Sequence, residues 1–336
     1  MTLIVRALVP TKVTLLGEHT VVYGEPAIVI ALDKRLIIEM RRRNDNVITI
    51  RSSGLTIPNI EYILTPDSYP QVRVDSAIVS RFFSYIIQAL SIVEEELSVR
   101  RKGVDILVES SLPPGVGLGT SAAISVGTIA AYSFLQGHVL EPREIARLGH
   151  RVELSVQGAA SPMDTSATTF GGMLYIEPSR DIVEKLPITD IHIVVGYVPK
   201  KFTTAELVRQ VRNLRNKYGE LINPIIKVAG SIVKNARKAL EKRSLEKLGE
   251  LMNIFHGILE ALGVVETEVA RIVHVLRLAG ALGAKMSGAG GGGAFVALAR
   301  SKKDAETLRN VIKSLGASVV DAGIANEGLR IEQVGI

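Results

Sequence analysis

The order of elements along the chain predicts an α+β protein of two lobes, strand-rich at the N-terminus and helix-rich at the C-terminus. Three observations carry this reading. At 336 residues the chain is long for one hydrophobic core. Strand patterns run consecutively near the start, whereas helical patterns cluster between residues 204 and 278. The regular strand–helix alternation of a doubly wound parallel sheet is missing. A boundary is expected near Pro178 to Lys185, dividing the chain into residues 1–180 and 181–336.

The elements follow from local patterns. Leu3 to Val9 and Lys12 to Leu16 read as strands broken at Pro10, followed by Ala27 to Leu32, Arg35 to Met40 and Val47 to Arg51. Arg43 to Asn46 is the turn between the last two. Asp75 caps a helix from Ser76 to Leu97, apolar at helical spacing. Val104 to Glu109 is a strand, Thr120 to Leu135 a buried helix, and a Pro142-initiated helix runs to Gln157. Gly158 to Gly172 is small and polar and reads as a loop before the strand Met173 to Ile176. Further on, His192 to Val198 is a strand. Helices follow at Thr204 to Lys217, Leu221 to Glu241, Leu245 to Leu262 and Glu266 to Leu278. A strand at Lys285, a glycine run, a strand at Ala294 to Ala299, a helix at Lys303 to Leu315 and two terminal strands close the chain.

Composition narrows the function class. A hydrophobic content of 47% with 22% charged residues is that of a soluble globular enzyme. No run of 18 apolar residues occurs, and Met1 to Arg6 lacks a signal peptide's apolar core, so no membrane partner is expected. Cysteine is absent, which excludes disulfides and thiolate metal sites and fits a cytoplasmic protein. The net charge of +6 is scattered. Arg41 to Arg43 and Arg100 to Lys102 read as solvated faces rather than a nucleic-acid surface. A mildly positive balance favours anionic substrates. A homodimer is left open.

The chemistry centres on Leu112-Pro-Pro-Gly-Val-Gly-Leu-Gly-Thr-Ser-Ala-Ala123. A strand feeds a glycine-rich turn, which opens into a helix N-terminus. Such a terminus has unpaired N–H groups and a positive dipole end. Glycines 115, 117 and 119 let a ligand approach the backbone, which suits a polyphosphate. Thr120 and Ser121 add hydroxyls where a metal accompanying phosphate wants oxygen ligands. No Lys follows Gly119, so this is not a Walker A loop, and a second helix pattern, Glu141 to Gln157, stands where a Rossmann unit needs a parallel strand ending in Asp or Glu. A ligand-free tight turn is the bland alternative.

This loop resembles the phosphate loop of the GHMP kinases, P-x-x-x-G-L-G-S-S-A-A, with Thr120 for the first Ser. Lys12 to Ala27 is similar to the family's first motif in its mevalonate kinase branch, G-E-H-x-V-V-Y-G-x-P-A, and matches every specified position from Gly17 on. Lys285-Met-Ser-Gly-Ala-Gly-Gly-Gly-Gly-Ala294 resembles the third motif, K-x-T-G-A-G-x-G-G, with Ser287 for Thr. Glu153 to Gly172 is similar to E-x-x-x-H-G-x-P-S-G-x-D-x-x-x-S-T-x-G-G. There Gln157, Ala160, Pro162 and Thr168 depart from the pattern while the Glu-to-Asp interval is kept. Met252 to Val264 and Thr204 to Val208 give secondary support, although helical core spacing explains most of their positions.

The resemblance implies an ATP-dependent kinase that phosphorylates the primary hydroxyl of mevalonate, with Mg²⁺ accompanying ATP. By the same resemblance, the catalytic pair is Asp164 and Lys12, and the substrate contacts are Glu18, His19 and Thr204. The nucleotide would lie on Pro114, Gly115, Val116, Gly117, Leu118, Gly119, Thr120, Ser121 and Ala122, and on Gly288, Ala289 and Gly290. Ser121 and Glu153 would hold the metal. Without the family, Glu153 reads as a helix-face ion pair and Asp164 as a turn cap. The alternatives are a kinase of the same fold for phosphomevalonate or for the 3-hydroxyl, a decarboxylase relative, and a catalytically dead sensor. Retention of Lys12, Glu18, His19 and Glu153 argues against the decarboxylase. A dead relative would be expected to lose Asp164, Lys12 or the phosphate loop.

Overall fold

In the computed structural model, which describes residues 3–53, 61–64, 71–72, 77–113, 115–187 and 191–334, the first strand patterns fuse into two long strands. They are β1 (Ile4–Leu16) and β2 (Ala27–Arg42), paired antiparallel. The expected break at Pro10 is absent. A register shift between Pro10 and Thr11 leaves Asp33 and Lys34 of β2 unmatched, and the ladder resumes at Thr11 opposite Leu32. Such a bulge accommodates a residue without an N–H. Thr11 Oγ1 donates to Lys34 O at 2.9 Å and fastens the bulge.

β3 (Ile48–Ser53) pairs with β4 (Glu61–Leu64), and β4 with β5 (Gln71–Val72). After α1 (Ala77–Leu97), β6 (Val104–Glu109) slots between β2 and β3, antiparallel to one and parallel to the other. The turn at Arg43 to Asn46 therefore joins strands that are not neighbours. Asp75 and Ser76, expected to cap and open α1, lie outside the described residues, as does Pro114.

α2 (Thr120–Leu135) and α3 (Pro142–Gln157) have the bounds expected from sequence. α3 starts with a reciprocal capping box between Glu141 and Glu144. The stretch expected to be a loop contains α4 (Met163–Phe170), which buries Met163 and Ala167. Thr, Ser and Gly disfavour a helix locally, but packing of this face overrides the preference. β7 (Met173–Glu177) pairs with β2, and β8 (Ile182–Leu186) pairs with β7. β8 therefore still belongs to the first sheet, although it falls where a boundary was expected.

The C-terminal half contributes β9 (His192–Val198), α5 (Thr204–Lys217), α6 (Gly219–Glu241), α7 (Leu245–Ala261), α8 (Thr267–Leu278) and β10 (Gly283–Met286). It continues with β11 (Gly293–Ala299), α9 (Lys302–Ser314), β12 (Ser318–Val320) and β13 (Arg330–Val334). The described strands form a 9-stranded sheet and a 4-stranded sheet ordered β10-β11-β9-β12, and β13 returns to pair with β1.

The β1–β2 hairpin serves both cores. Val5, Ala7 and Val9 pack with α1, α2 and α3 in one hydrophobic cluster. Val13, Leu15 and Leu16 pack with the helices and sheet of the C-terminal half in another. Lys12 sits where the strand passes from the first core to the second.

Candidate active site

The glycine loop is held by backbone contacts. Gly115, Gly117 and Gly119 all have positive φ. A Cβ on Gly119 would lie 2.6 Å from Lys12 Cγ, and the Lys12 N–H donates to Leu118 O at 2.9 Å. The third motif packs on the other side. A Cβ on Gly288 would lie 3.1 Å from Gly117 O, and one on Gly293 2.9 Å from Val116 O. Only glycines let two backbones approach so closely. Gly115 has nothing within 4 Å of its Cβ direction and faces open space. Ser287 Oγ accepts from Thr14 N at 2.9 Å and donates to Thr14 O at 3.1 Å, tying the third motif to β1.

Two carboxylates and a lysine meet beside this loop. Lys12 Nζ lies 2.9 Å from Asp164 Oδ1 and donates to Thr14 Oγ1 at 3.2 Å. Asp164 is on the first turn of α4, where a carboxylate also favours the helix dipole. Glu153, on the last turns of α3, is buried and accepts from Ser121 Oγ at 2.8 Å and from Gln157 Nε2 at 3.1 Å. Burial and the neighbouring Asp164 charge push the Glu153 carboxyl up to about 8, against the hydrogen bond from Ser121 and the charge of Lys12. Thr120 Oγ1 is buried nearby in sequence and has no partner. Two carboxylates brought together at a helix N-terminus, with the Ser121 hydroxyl on one of them, form a hard oxygen donor set that fits a divalent cation.

The Glu18–His19 pair forms another wall. Gly17 takes φ +109, where any Cβ would strike Ala27 at 2.4 Å. His19 takes φ 60, and its Nε2 lies 2.9 Å from Ala289 O. That carbonyl can only accept, so Nε2 carries the proton and Nδ1 holds a lone pair. Nδ1 is buried and has no protein partner. Burial keeps the ring neutral, its pKa lowered to about 4, with Lys200 adding to the effect. Glu18 Oε1 is bonded to Lys285 Nζ, and Glu18 Oε2 has no partner.

These groups border one cavity of about 700 Å³. Lys12, Glu18, His19, Ser121, Glu153, Asp164 and Thr204 all line it, together with Gly115, Val116, Gly117, Gly119 and Thr120 from the first loop and Gly288 and Ala289 from the third motif. Leu118 and Ala122 are buried in the protein, and Gly290 packs against Val264 O, 2.1 Å from where its Cβ would be. Thr204 Oγ1 accepts from Lys200 Nζ at 3.2 Å. Sequence reasoning left Lys285, Gln157 and Lys200 without roles. Lys285 opens the third motif and Gln157 stands at a departure from the family pattern, so both positions were visible, but their partners are remote in sequence. Among the described residues no helix is long and apolar enough to cross a membrane.

Comparison with known proteins gives the family. The model of the GHMP kinases N terminal domain matches residues 84–172, and that of the GHMP kinases C terminal domain matches residues 236–318. A curated mevalonate kinase of Thermococcus gammatolerans is 40% identical over 335 residues, covering 98% of this chain and 99% of its own. The crystal structure of the Methanococcus jannaschii mevalonate kinase is 30% identical, with a TM-score of 0.74 over 99% of this chain and 98% of that one. That of L. major mevalonate kinase in complex with R-mevalonate is 26% identical, with a TM-score of 0.76 over 92% and 91% of the two chains. With both family models matched in order and full-length relatives at this identity, the chain belongs to the GHMP kinase family, in the branch of the mevalonate kinases.

Proposed function

We infer that the protein transfers the γ-phosphoryl group of ATP to the primary hydroxyl of mevalonate, giving 5-phosphomevalonate. The observation that carries this reading is the Lys12–Asp164 ion pair, 2.9 Å long, set between the phosphate loop and the Glu18–His19 wall in one cavity. Phosphoryl transfer needs the phosphate charge neutralised and an alcohol made nucleophilic. The glycine-rich loop at the N-terminus of α2 and the glycine run of the third motif are suited to cradle the phosphates with backbone amides.

Ser121 and Glu153, joined by a hydrogen bond of 2.8 Å, are the residues suited to hold Mg²⁺. When bound, the ion neutralises phosphate charge. Asp164 accepts the proton of the attacking hydroxyl, a contribution of roughly 10²–10⁴-fold in such reactions. Lys12 stabilises the oxygen as it loses that proton. His19 Nδ1 and Glu18 Oε2 are acceptors, suited to hydroxyl donors of the substrate. Thr204 closes the cavity from α5. Acceptors on one wall and a cation–carboxylate pair on the other orient a polar alcohol for in-line attack.

The test is direct. Incubation with Mg-ATP and a panel of mevalonate, phosphomevalonate, galactose and homoserine, followed by ³¹P NMR, should place phosphate on the primary hydroxyl of mevalonate alone. Phosphate on the 3-hydroxyl, or reaction with phosphomevalonate only, would refute the substrate assignment.

A further inference from the structure

Lys285 is a buried charge that the transfer described above does not use. Its Nζ donates to Glu18 Oε1 and to Met286 O. Its side chain is 0% exposed and that of Glu18 1%. A fully buried ion pair is a costly device, weak as a source of stability and better suited to fixing a geometry. The strand that carries Lys285 is braced from α7. Asn253 Oδ1 accepts from Ala284 N at 3.0 Å, and His256 Nδ1 accepts from Met286 N at 3.3 Å. The N–H groups on both sides of Lys285 are thus held by helix side chains where a further strand would otherwise pair. The Phe255 ring lies 5.6 Å from Nζ.

Glu18 Oε2, by contrast, is buried without a partner in a residue that lines the cavity. Such an oxygen is expensive unless a ligand donor takes it. We propose that Lys285 is a positioning residue that clamps the Glu18 carboxylate by Oε1 and so presents Oε2 to a hydroxyl of the bound alcohol. This rests on the reading of mevalonate as that alcohol.

The pair also protects the catalytic pair from competition. Glu18 is faced by Lys285 from β10 and by Lys12 from β1, and Lys285 is faced by Glu18, by Lys12 and by the neutral His256 on α7. Burial disfavours both charges, raising the Glu18 carboxyl and lowering the Lys285 ammonium, and each offsets the other's shift. With Lys285 present, Glu18 has its own counter-charge and Lys12 stays with Asp164. Without Lys285, Lys12 is the cation left to neutralise Glu18.

Initial rates of the full-length enzyme, from about pH 5.5 to about pH 9, test this on wild type, Lys285→Met, Lys285→Arg, Glu18→Gln and the double variant Glu18→Gln/Lys285→Met. Lys285→Met should raise KM for mevalonate about tenfold or more, with KM for ATP within about twofold. The acid limb of kcat/KM for mevalonate should move up by about one pH unit or more, because Glu18 loses the cation that holds its proton off. Lys285→Arg should return that limb to the wild-type position. In the Glu18→Gln background, Lys285→Met should cost less than about threefold further in KM for mevalonate. That comparison contains no unpaired buried carboxylate, so it decides the matter even where Lys285→Met alone does not fold. Equal rises in both KM values, an unmoved acid limb, or a double variant much worse than Glu18→Gln would overturn the proposal. If wild type phosphorylates another alcohol instead, the substrate assignment fails, and the same cycle run on that alcohol scores Lys285 separately.

Discussion

Lys12 Nζ and Asp164 Oδ1 lie 2.9 Å apart, although their positions in the chain differ by 152. The pair joins β1 to α4 beside the phosphate loop, with Glu153 close enough for its carboxyl to feel Asp164. Asp164→Asn should lower kcat by about 10²-fold or more while ATP affinity stays nearly intact. Lys12→Met should be at least as damaging, because it leaves two carboxylates facing each other without a cation. Steady-state kinetics with ATP binding measured separately checks both. Near-normal kcat in both variants would remove the pair from the reaction.

Glu153→Gln should strongly weaken the dependence of activity on Mg²⁺ and leave the fold intact. It should also change the pH dependence of stability in metal-free protein. The Glu153 carboxyl sits at about 8 when folded against an ordinary 4.5, so the folded state binds its proton more tightly. Stability from this group therefore falls as pH rises through that window. Urea midpoints of wild type and variant in chelator should diverge in this sense. An unchanged magnesium titration would reduce Glu153 to a structural residue.

Gly119→Ala separates backbone strain from loss of geometry. Its φ of +74 costs an alanine about 1–2 kcal/mol, and the new Cβ would lie 2.6 Å from Lys12 Cγ. Displacing Lys12 by even about 1 Å should cost up to about 10²-fold in kcat. Gly115→Ala carries similar strain at φ +82 but meets nothing within 4 Å. It should instead raise KM for ATP and spare kcat. Similar kcat losses in both would show that the Lys12 contact is irrelevant.

Two buried histidines should make the protein acid-sensitive. His19 is lowered to about 4 and His256 to about 3, from an ordinary 6.5, chiefly by burial. The unfolded chain then binds more protons below pH 6.5, so stability is full above that value and is lost as pH falls toward the folded values. His19→Asn should flatten part of this loss in urea titrations at about pH 7 and about pH 4.5. The Glu153 slope runs the other way, so the two variants tell the contributions apart.

Sequence alone determined many of the local elements and the glycine loop. β6, α2 and α3 have the ends that periodicity and caps predict, because strand alternation, helical spacing and a proline at a helix start act over a few residues. The motif residues could likewise be named from their strings. Tertiary structure decided what meets what. β6 lies between β2 and β3, an order that no turn between those strands could reveal. α4 forms from a segment of low helix propensity because burial of Met163 and Ala167 outweighs that propensity. Lys285 finds Glu18 across 267 residues, and His19 finds Ala289 across 270. Such pairings depend on burial, and burial is set only when two remote stretches close over the same volume. A sequence pattern reports the period of its own segment, whereas the charge state of Glu18, the proton position on His19 and the partner of Lys12 belong to the packed molecule.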